Sequence, residues 1–145
     1  MFPTEPLQLH HSWPILDPHA RFAHGLAGAT VALGGNAPLA HWQCDLATNL
    51  PEWSDGVYDI FGLPRGITPD RATALACYRE ESRVAMERLR AHALRHRRGF
   101  TLDARLRTPG GTDRWMRLTA APQYDGARAV RLAGTKQDVT HLYAR

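Results

Sequence analysis

The last third of the chain alternates apolar and polar residues with a period that fits a β-sheet and not a helix. In the segment from Phe100 to Arg107 every second residue is apolar, and Thr, Asp and Arg stand between them. A period of two places one face of a strand in a core and the other in water. Turn residues follow at 109–111 and 125–126, so two further strands, at 114–124 and 128–137, are predicted to complete an antiparallel meander.

The middle of the chain predicts a hairpin followed by helices. Residues 41–46 alternate and are followed by a turn, so residues 50–53 are expected to return as an antiparallel partner. Short helices are predicted after Ser54-Asp55 and with a start at Thr68-Pro69-Asp70, and a longer one from about Glu80 to Arg97. A hairpin, several helices and three late strands predict an α+β domain with its helices on one side of an antiparallel sheet.

The first 37 residues are predicted to flank this domain. Residues 1–16 hold three prolines and no apolar period, which is typical of a mobile arm. Residues 17–37 begin with Asp17-Pro18, a helix start, and carry an apolar stripe. We interpret them as a flanking helix that either covers the sheet or makes a homodimer contact. The candidate dimer residues are Phe22, Leu26, Ala29 and Leu33.

Composition and charge argue against several classes of protein. A hydrophobic fraction of 43% with 22% charged residues is typical of a soluble globular domain. Two cysteines, Cys44 and Cys77, are too few for a disulfide framework. No segment offers about 20 consecutive apolar residues to a bilayer. We therefore expect a cytoplasmic protein. The net charge of +4 comes mostly from dispersed arginines interleaved with acids, so nucleic-acid binding is not expected.

The residues that carry chemistry form no catalytic pattern. No Ser/His/Asp set, phosphate-binding glycine loop or HExxH motif is present, so an enzyme is not expected. His92 and His96 share one helix face, but two ligands are insufficient for a metal site. Trp42, Trp53 and Trp115 lie on neighbouring predicted strands, where they fit either simple packing on the sheet or an aromatic-lined ligand pocket.

Several ordered blocks resemble a PAS domain over about residues 38–140. Residues 42–49 (WQCDLATN), then WSD at 53–55 and IFGL at 60–63, are similar to the family's W-x-W-D-L-x-T-G, W-S and I-F-G. Residues 78–83 (YREESR) stand where the family commonly has H-P-E-D-R. The late strands and the closing GTKQDVT at 134–140 are similar to its C-terminal strands and terminal D-I-T signature.

This resemblance implies a five-stranded antiparallel sheet in spatial order 2-1-5-4-3 with helices over one face. PAS domains are usually sensory or interaction modules, in which a ligand, cofactor or partner acts on the cavity between sheet and helices. Asp138 and Thr140 match the signal-output motif, and residues 141–145 the truncated start of a signalling helix. The resemblance thus implies a regulatory adaptor of bacterial style, a homodimer with a signalling partner such as a histidine kinase or regulator.

A small molecule bound by such a domain is expected to contact apolar residues of the strands and helices. The candidates are Tyr58, Phe61, Leu89, Leu102, Ala104, Met116, Leu118 and Leu132.

Two alternatives remain open. The first is a haem or flavin sensor. Of the reactive Asn-Cys-Arg-Phe-Leu-Gln block of the flavin photosensors this chain keeps only Cys77, and it has Lys136 at the position of their flavin-contacting glutamine. The position of the haem-binding histidine of haem sensors corresponds to a residue near Met86. No cofactor is therefore favoured. An NTF2-like enzyme or binding protein also combines helices with an antiparallel sheet, but usually has its long helices first.

Overall fold

A computed structural model describes residues 11–12 and 38–143 of the chain as a sheet with helices packed on it. The strands are β1 (His11–Ser12), β2 (Ala40–Asp45), β3 (Pro51–Trp53), β4 (Phe100–Arg107), β5 (Asp113–Asp125) and β6 (Arg128–Asp138). The helices are α1 (Asp55–Phe61), α2 (Arg71–Cys77), α3 (Glu80–His96) and α4 (Thr140–Tyr143). This order confirms the predicted hairpin, helices and late meander.

All pairings in the sheet are antiparallel, and the strand order is β1-β4-β5-β6-β2-β3. The five strands from β2 to β6 have the expected order 2-1-5-4-3. The early hairpin meets the late meander where β2 pairs with β6, with Ala40 opposite Lys136 and Asp45 opposite Arg131. β1 is an additional edge strand in the segment interpreted as an arm, with His11 opposite Leu102. Two residues are too few for a strand period to be visible in sequence.

Two helix ends differ from the sequence prediction in detail. The cap of α2 is Asp70 and not Thr68, because the Asp70 carboxylate accepts the Thr73 N–H at 2.7 Å, which satisfies a free amide of the first turn. α3 ends at His96, since Arg97 itself adopts the left-handed conformation at φ 57°. α3 therefore ends one residue before the predicted Arg97, and the residue that ends it is not a glycine.

The core lies between the helices and one face of the sheet. β4 and β5 point alternate apolar side chains at it, and α1 and α3 cover them with their own apolar faces. Its members include Val57, Phe61, Leu89, Ala93, Phe100, Leu102, Ala104, Leu106, Met116 and Leu118, all buried. The period-two prediction for these strands is confirmed.

The sequence prediction for β4 is wrong at Asp103, because the alternation placed this residue on the face exposed to water. Its exposed fraction is only 5%. Arg117, opposite it on β5, donates two hydrogen bonds to the carboxylate, at 2.8 and 2.9 Å, and the Tyr143 hydroxyl of α4 donates a third. A paired carboxylate tolerates burial, so α4 covers part of the face that was expected to meet water.

The predicted flanking helix at 17–37, with Phe22, Leu26, Ala29 and Leu33, lies outside the described residues, as do residues 144–145. Its role in a dimer stays a prediction. Within 11–12 and 38–143, no helix combines the length and apolarity that crossing a membrane would require.

Candidate ligand-binding cavity

A cavity of about 70 Å³ lies between the sheet and helices α2 and α3. The strands contribute Trp42, Cys44, Trp53, Leu118, Leu132 and Lys136 to its lining, and the helical side contributes Arg71, Tyr78, Met86 and Arg90. Most of this lining is apolar or aromatic, with a few charged groups, which is the usual composition of a small-molecule site.

Aromatic rings form one wall of the cavity. The Trp53 ring stacks on Phe61 with a centroid distance of 5.1 Å and an interplanar angle of 8°, and meets the edge of Tyr58 at 5.0 Å. Trp42 lies opposite Trp53 across β2 and β3, and its Nε1 donates to the Thr119 carbonyl at 3.1 Å. These contacts hold the indoles in fixed orientations beside the cavity.

Lys136 is the one lysine of the chain, and β6 places it on the core side of the sheet. Its exposed fraction is 6%. Nζ lies 4.7 Å from the Phe61 ring centroid, 5.2 Å from that of Trp42 and 5.9 Å from that of Trp53, all within cation–π range. Burial disfavours the ammonium and lowers the pKa of Lys136 to about 7. Among the described residues no carboxylate pairs with it.

Two arginines also line the cavity, each with a partner on its outer side. Arg71 forms an ion pair with Glu87 of α3, and Arg90 donates to the Asn49 side-chain oxygen at 3.2 Å. Cys44 lies beside Arg90, and burial raises the pKa of its thiol, which keeps it neutral. The local charge is therefore positive.

The predicted pocket residues are all buried, but only Leu118 and Leu132 line this cavity. The other six fill the packed core around it: Tyr58, Phe61, Leu89, Leu102, Ala104 and Met116. Trp42 and Trp53 line it as the pocket interpretation of the tryptophans expected. Trp115 does not, and stacks on Tyr143 at a centroid distance of 4.1 Å.

Sequence reasoning missed Lys136 as a cavity residue, although a signal for it existed. The alternation of β6 places residue 136 on the same face as Leu132, which is buried. A lone lysine at an inward position of a strand predicts a functional cation, because a lysine is almost never fully buried without a partner.

Neither haem nor flavin fits this cavity. Sites for ligands of that size are about 300–1,000 Å³, several times its volume of about 70 Å³. Met86 does line it, at the place where the resemblance puts a haem ligand, but its described lining contains no histidine. Lys136 stands where a flavin would need an amide. The residues present therefore do not match either group.

His92 and His96 lie together on α3, with ring centroids 4.2 Å apart. Across the described ranges, 11–12 and 38–143, no third His, Cys, Asp or Glu joins them in a cluster that could hold a metal ion. The pair lies outside the lining of the cavity.

The candidate output motif is a small hydrogen-bonded cap at the end of β6. The Asp138 carboxylate accepts the Thr140 N–H at 2.9 Å and the Thr140 hydroxyl proton at 2.6 Å. The Thr140 hydroxyl oxygen in turn accepts a hydrogen bond from the backbone N–H of Trp115 in β5, at 3.0 Å. The motif thus starts α4 and attaches it to the sheet, two residues after the cavity lysine.

Comparison with known proteins identifies the fold. No protein-family model matches the chain, and no curated protein sequence does either. Among solved structures, a sensory box histidine kinase/response regulator from Burkholderia thailandensis matches with a TM-score of 0.62 and 22% identity, over 85% of this chain and 87% of that one. The chain has the PAS fold.

Other PAS structures agree with this assignment. The N-terminal domain of a diguanylate cyclase with PAS/PAC sensor from Marinobacter aquaeolei matches with a TM-score of 0.67 and 15% identity, over 73% of this chain and 99% of that one. The PAS domain of a protein from Colwellia psychrerythraea matches with a TM-score of 0.60 and 15% identity, over 86% and 99%. The alternative NTF2-like fold is not adopted.

Proposed function

We propose that this chain is a sensory PAS module that binds a small molecule in the cavity and regulates a partner protein by association, with no catalysis of its own. The observation that carries the proposal is that one strand, β6, both lines the cavity and ends in the Asp138–Thr140 cap. A ligand in contact with Lys136 acts two residues before Asp138, the residue that caps the start of α4.

The hydrogen bonds of the sheet provide the physical link. Lys136 lies opposite Ala40 of β2 and Leu118 of β5, so a shift of β6 changes the register or twist of both neighbours. β5 also carries Trp115, whose backbone N–H donates to the Thr140 hydroxyl and whose ring stacks on Tyr143. A change at the cavity therefore reaches α4 along β6 and along β5.

The proposed partner is a signalling protein such as a histidine kinase or a regulator, and the proposed assembly is a homodimer. The similar structures support this class of role, because they are named as parts of a sensory box histidine kinase/response regulator and of a diguanylate cyclase with a PAS/PAC sensor. We place the protein in the bacterial cytoplasm on the same grounds and on its cysteine content.

Native mass spectrometry of the protein isolated from its own host tests this function. We expect a mass above that of the polypeptide that is lost on denaturation, and a co-purifying chain or second copy. A bare monomeric polypeptide under conditions that preserve control complexes would contradict the proposal.

A further inference from the structure

The cavity gathers more positive than negative charge. Arg71, Arg90 and Lys136 line it, and no aspartate or glutamate is found among its described lining residues. Glu87 neutralises Arg71 from outside the lining, and Asn49, which binds Arg90, carries no charge. Buried charges in proteins are normally paired, so a cavity with surplus cations lacks an anion.

Lys136 is the clearest unmatched group. An ammonium has three N–H donors and no acceptor, and within the described part of the chain none of its donors has a hydrogen-bond acceptor or a carboxylate. Phe61, Trp42 and Trp53 surround Nζ with π faces, which attract the charge but accept no strong hydrogen bond. The rings therefore hold the ammonium in place and leave its donors for a group in the cavity.

The volume limits what that group is. Since one enclosed water needs about 10–15 Å³ of space measured for its centre, the cavity of about 70 Å³ holds about five to seven waters, or a ligand with about that many non-hydrogen atoms. A nucleotide or an aromatic cofactor is too large. The apolar side chains of Leu118 and Leu132 suit a hydrocarbon end, and a hydrocarbon end with an anionic head describes a short-chain carboxylate.

We propose that the cavity binds a short-chain carboxylate, whose anionic head pairs with the Lys136 ammonium and whose hydrocarbon end lies against Leu118 and Leu132. This inference rests on the proposed function and specifies its ligand class. Arg90 supplies a second positive charge near the head group, while Arg71 is already neutralised by Glu87.

The groups around the cavity make the pairing dependent on pH through Lys136. Burial raises the pKa of Cys44 and of Tyr78, which favours the neutral forms of both groups. Arg90 stays charged between pH 6 and pH 9, because a guanidinium does not deprotonate in proteins, and Arg71 is held in its ion pair with Glu87. With the pKa of Lys136 lowered to about 7, the empty cavity loses the lysine charge as the pH rises past 7. A bound carboxylate stabilises the ammonium, so binding above pH 7 takes up a proton.

The test compares propionate with propionamide, a neutral molecule of the same shape, by the fluorescence of the tryptophans and by calorimetry. We expect propionate to bind at least tenfold more tightly than propionamide at pH 6.5. Its affinity should fall about 100-fold by pH 9, because the charged fraction of an amine of pKa 7 falls tenfold for each pH unit. Propionamide binding should not change with pH.

Variants assign the effect to the lysine. Lys136→Met should lose the preference for propionate and keep the affinity for propionamide. Arg128→Met, which removes an exposed cation of the same strand, should bind as the unmodified protein does. Because Lys136 is the one lysine, protein produced with ¹³C-labelled lysine gives a single ¹³Cε NMR signal, and the pKa that this signal reports should rise when propionate is added to the unaltered protein.

The outcomes separate this inference from the proposed function. Equal binding of propionate and propionamide, or a lysine signal that propionate does not change, would overturn the proposal that the ligand is a carboxylate. The proposal that the cavity binds a small molecule would still stand. If neither molecule binds, and the protein isolated from its host carries no small molecule, both the carboxylate ligand and the ligand-binding function are contradicted.

Discussion

Lys136 destabilises the folded protein when the cavity is empty. A lysine in water is protonated up to about pH 10.5, but in this fold it becomes neutral near pH 7. At pH 6 the chain therefore folds with a buried charge that has only aromatic neighbours. Residues that weaken a fold in this way are typical of functional sites.

Replacing the lysine by an apolar residue of similar length should stabilise the empty protein. Since one pKa unit corresponds to about 1.4 kcal/mol, Lys136→Met should raise the free energy of unfolding at pH 6 by up to about 5 kcal/mol, less what the three rings contribute. This stabilisation of the variant over the unmodified protein should shrink as the pH rises from about 7 to 10.5. In that range the unfolded unmodified chain binds more protons than the folded one, so the unmodified protein becomes more stable as the pH rises. Urea unfolding at pH 6, 8 and 9.5 measures this, and a less stable variant at pH 6 would contradict it.

Asp103 is the opposite case, a buried charge that is fully paired. Asp103→Asn removes the charge that the Arg117 guanidinium and the Tyr143 hydroxyl bind, so we expect a loss of about 3 kcal/mol in the free energy of unfolding. Asp113→Asn is the matched control. Its ion pairs with Arg79 and Arg107, at 3.5 and 3.7 Å, are exposed, and the expected loss is below about 1 kcal/mol. Similar losses in chemical denaturation of the two variants would refute this account of Asp103.

Among the elements, α4 is attached to the end of β6 and to β5 through Thr140. Thr140→Val keeps the shape of the side chain but removes the acceptor of the Trp115 N–H and the donor to Asp138. We expect amide exchange in residues 140–143 to become several-fold faster, with a loss of about 1 kcal/mol in global stability. Thr48→Val removes a comparable acceptor, that of the Leu50 N–H in the β2–β3 turn, and should leave α4 unchanged. Hydrogen-exchange mass spectrometry that finds α4 equally protected in both variants would count against the proposed cap.

The end of α1 depends on a glycine for two reasons. Gly62 adopts φ 73°, and a Cβ there would lie 2.7 Å from the Thr108 Cβ. Gly62→Ala should therefore cost about 3 kcal/mol, whereas Gly126→Ala, at φ 64° with no atom within 4 Å of its Cβ, should cost about 1 kcal/mol. The two are compared by thermal unfolding. Equal losses would mean that the contact with Thr108 relaxes freely.

The sequence predicted the elements better than their ends. The alternation of β4 and β5 is a local signal, since it depends on residues close in the chain. The burial of Asp103 was not predictable in that way, because it depends on Arg117 from the next strand and Tyr143 from α4.

At the scale of the whole molecule, the sheet order and a cavity between sheet and helices followed from the family resemblance, but most of the residues that line the cavity did not. The pocket prediction selected large apolar residues, but such residues pack together and fill space, as Phe61, Leu102 and Met116 do. The cavity lies where the packing of α2 and α3 leaves a gap beside Lys136, which depends on the relative placement of elements distant in sequence. The sequence signals for its lining were Trp42 and Trp53, together with the inward position of the one lysine, Lys136.

The central claim is that occupation of the cavity changes α4 through β6 and β5. Hydrogen-exchange mass spectrometry of the protein with and without saturating propionate at pH 6.5 measures this most directly. We predict altered exchange both in the cavity strands and in residues 138–143, and no change at the hairpin tip around Gly126. Protection confined to the cavity, with residues 138–143 exchanging at the same rate in both samples, would contradict the account.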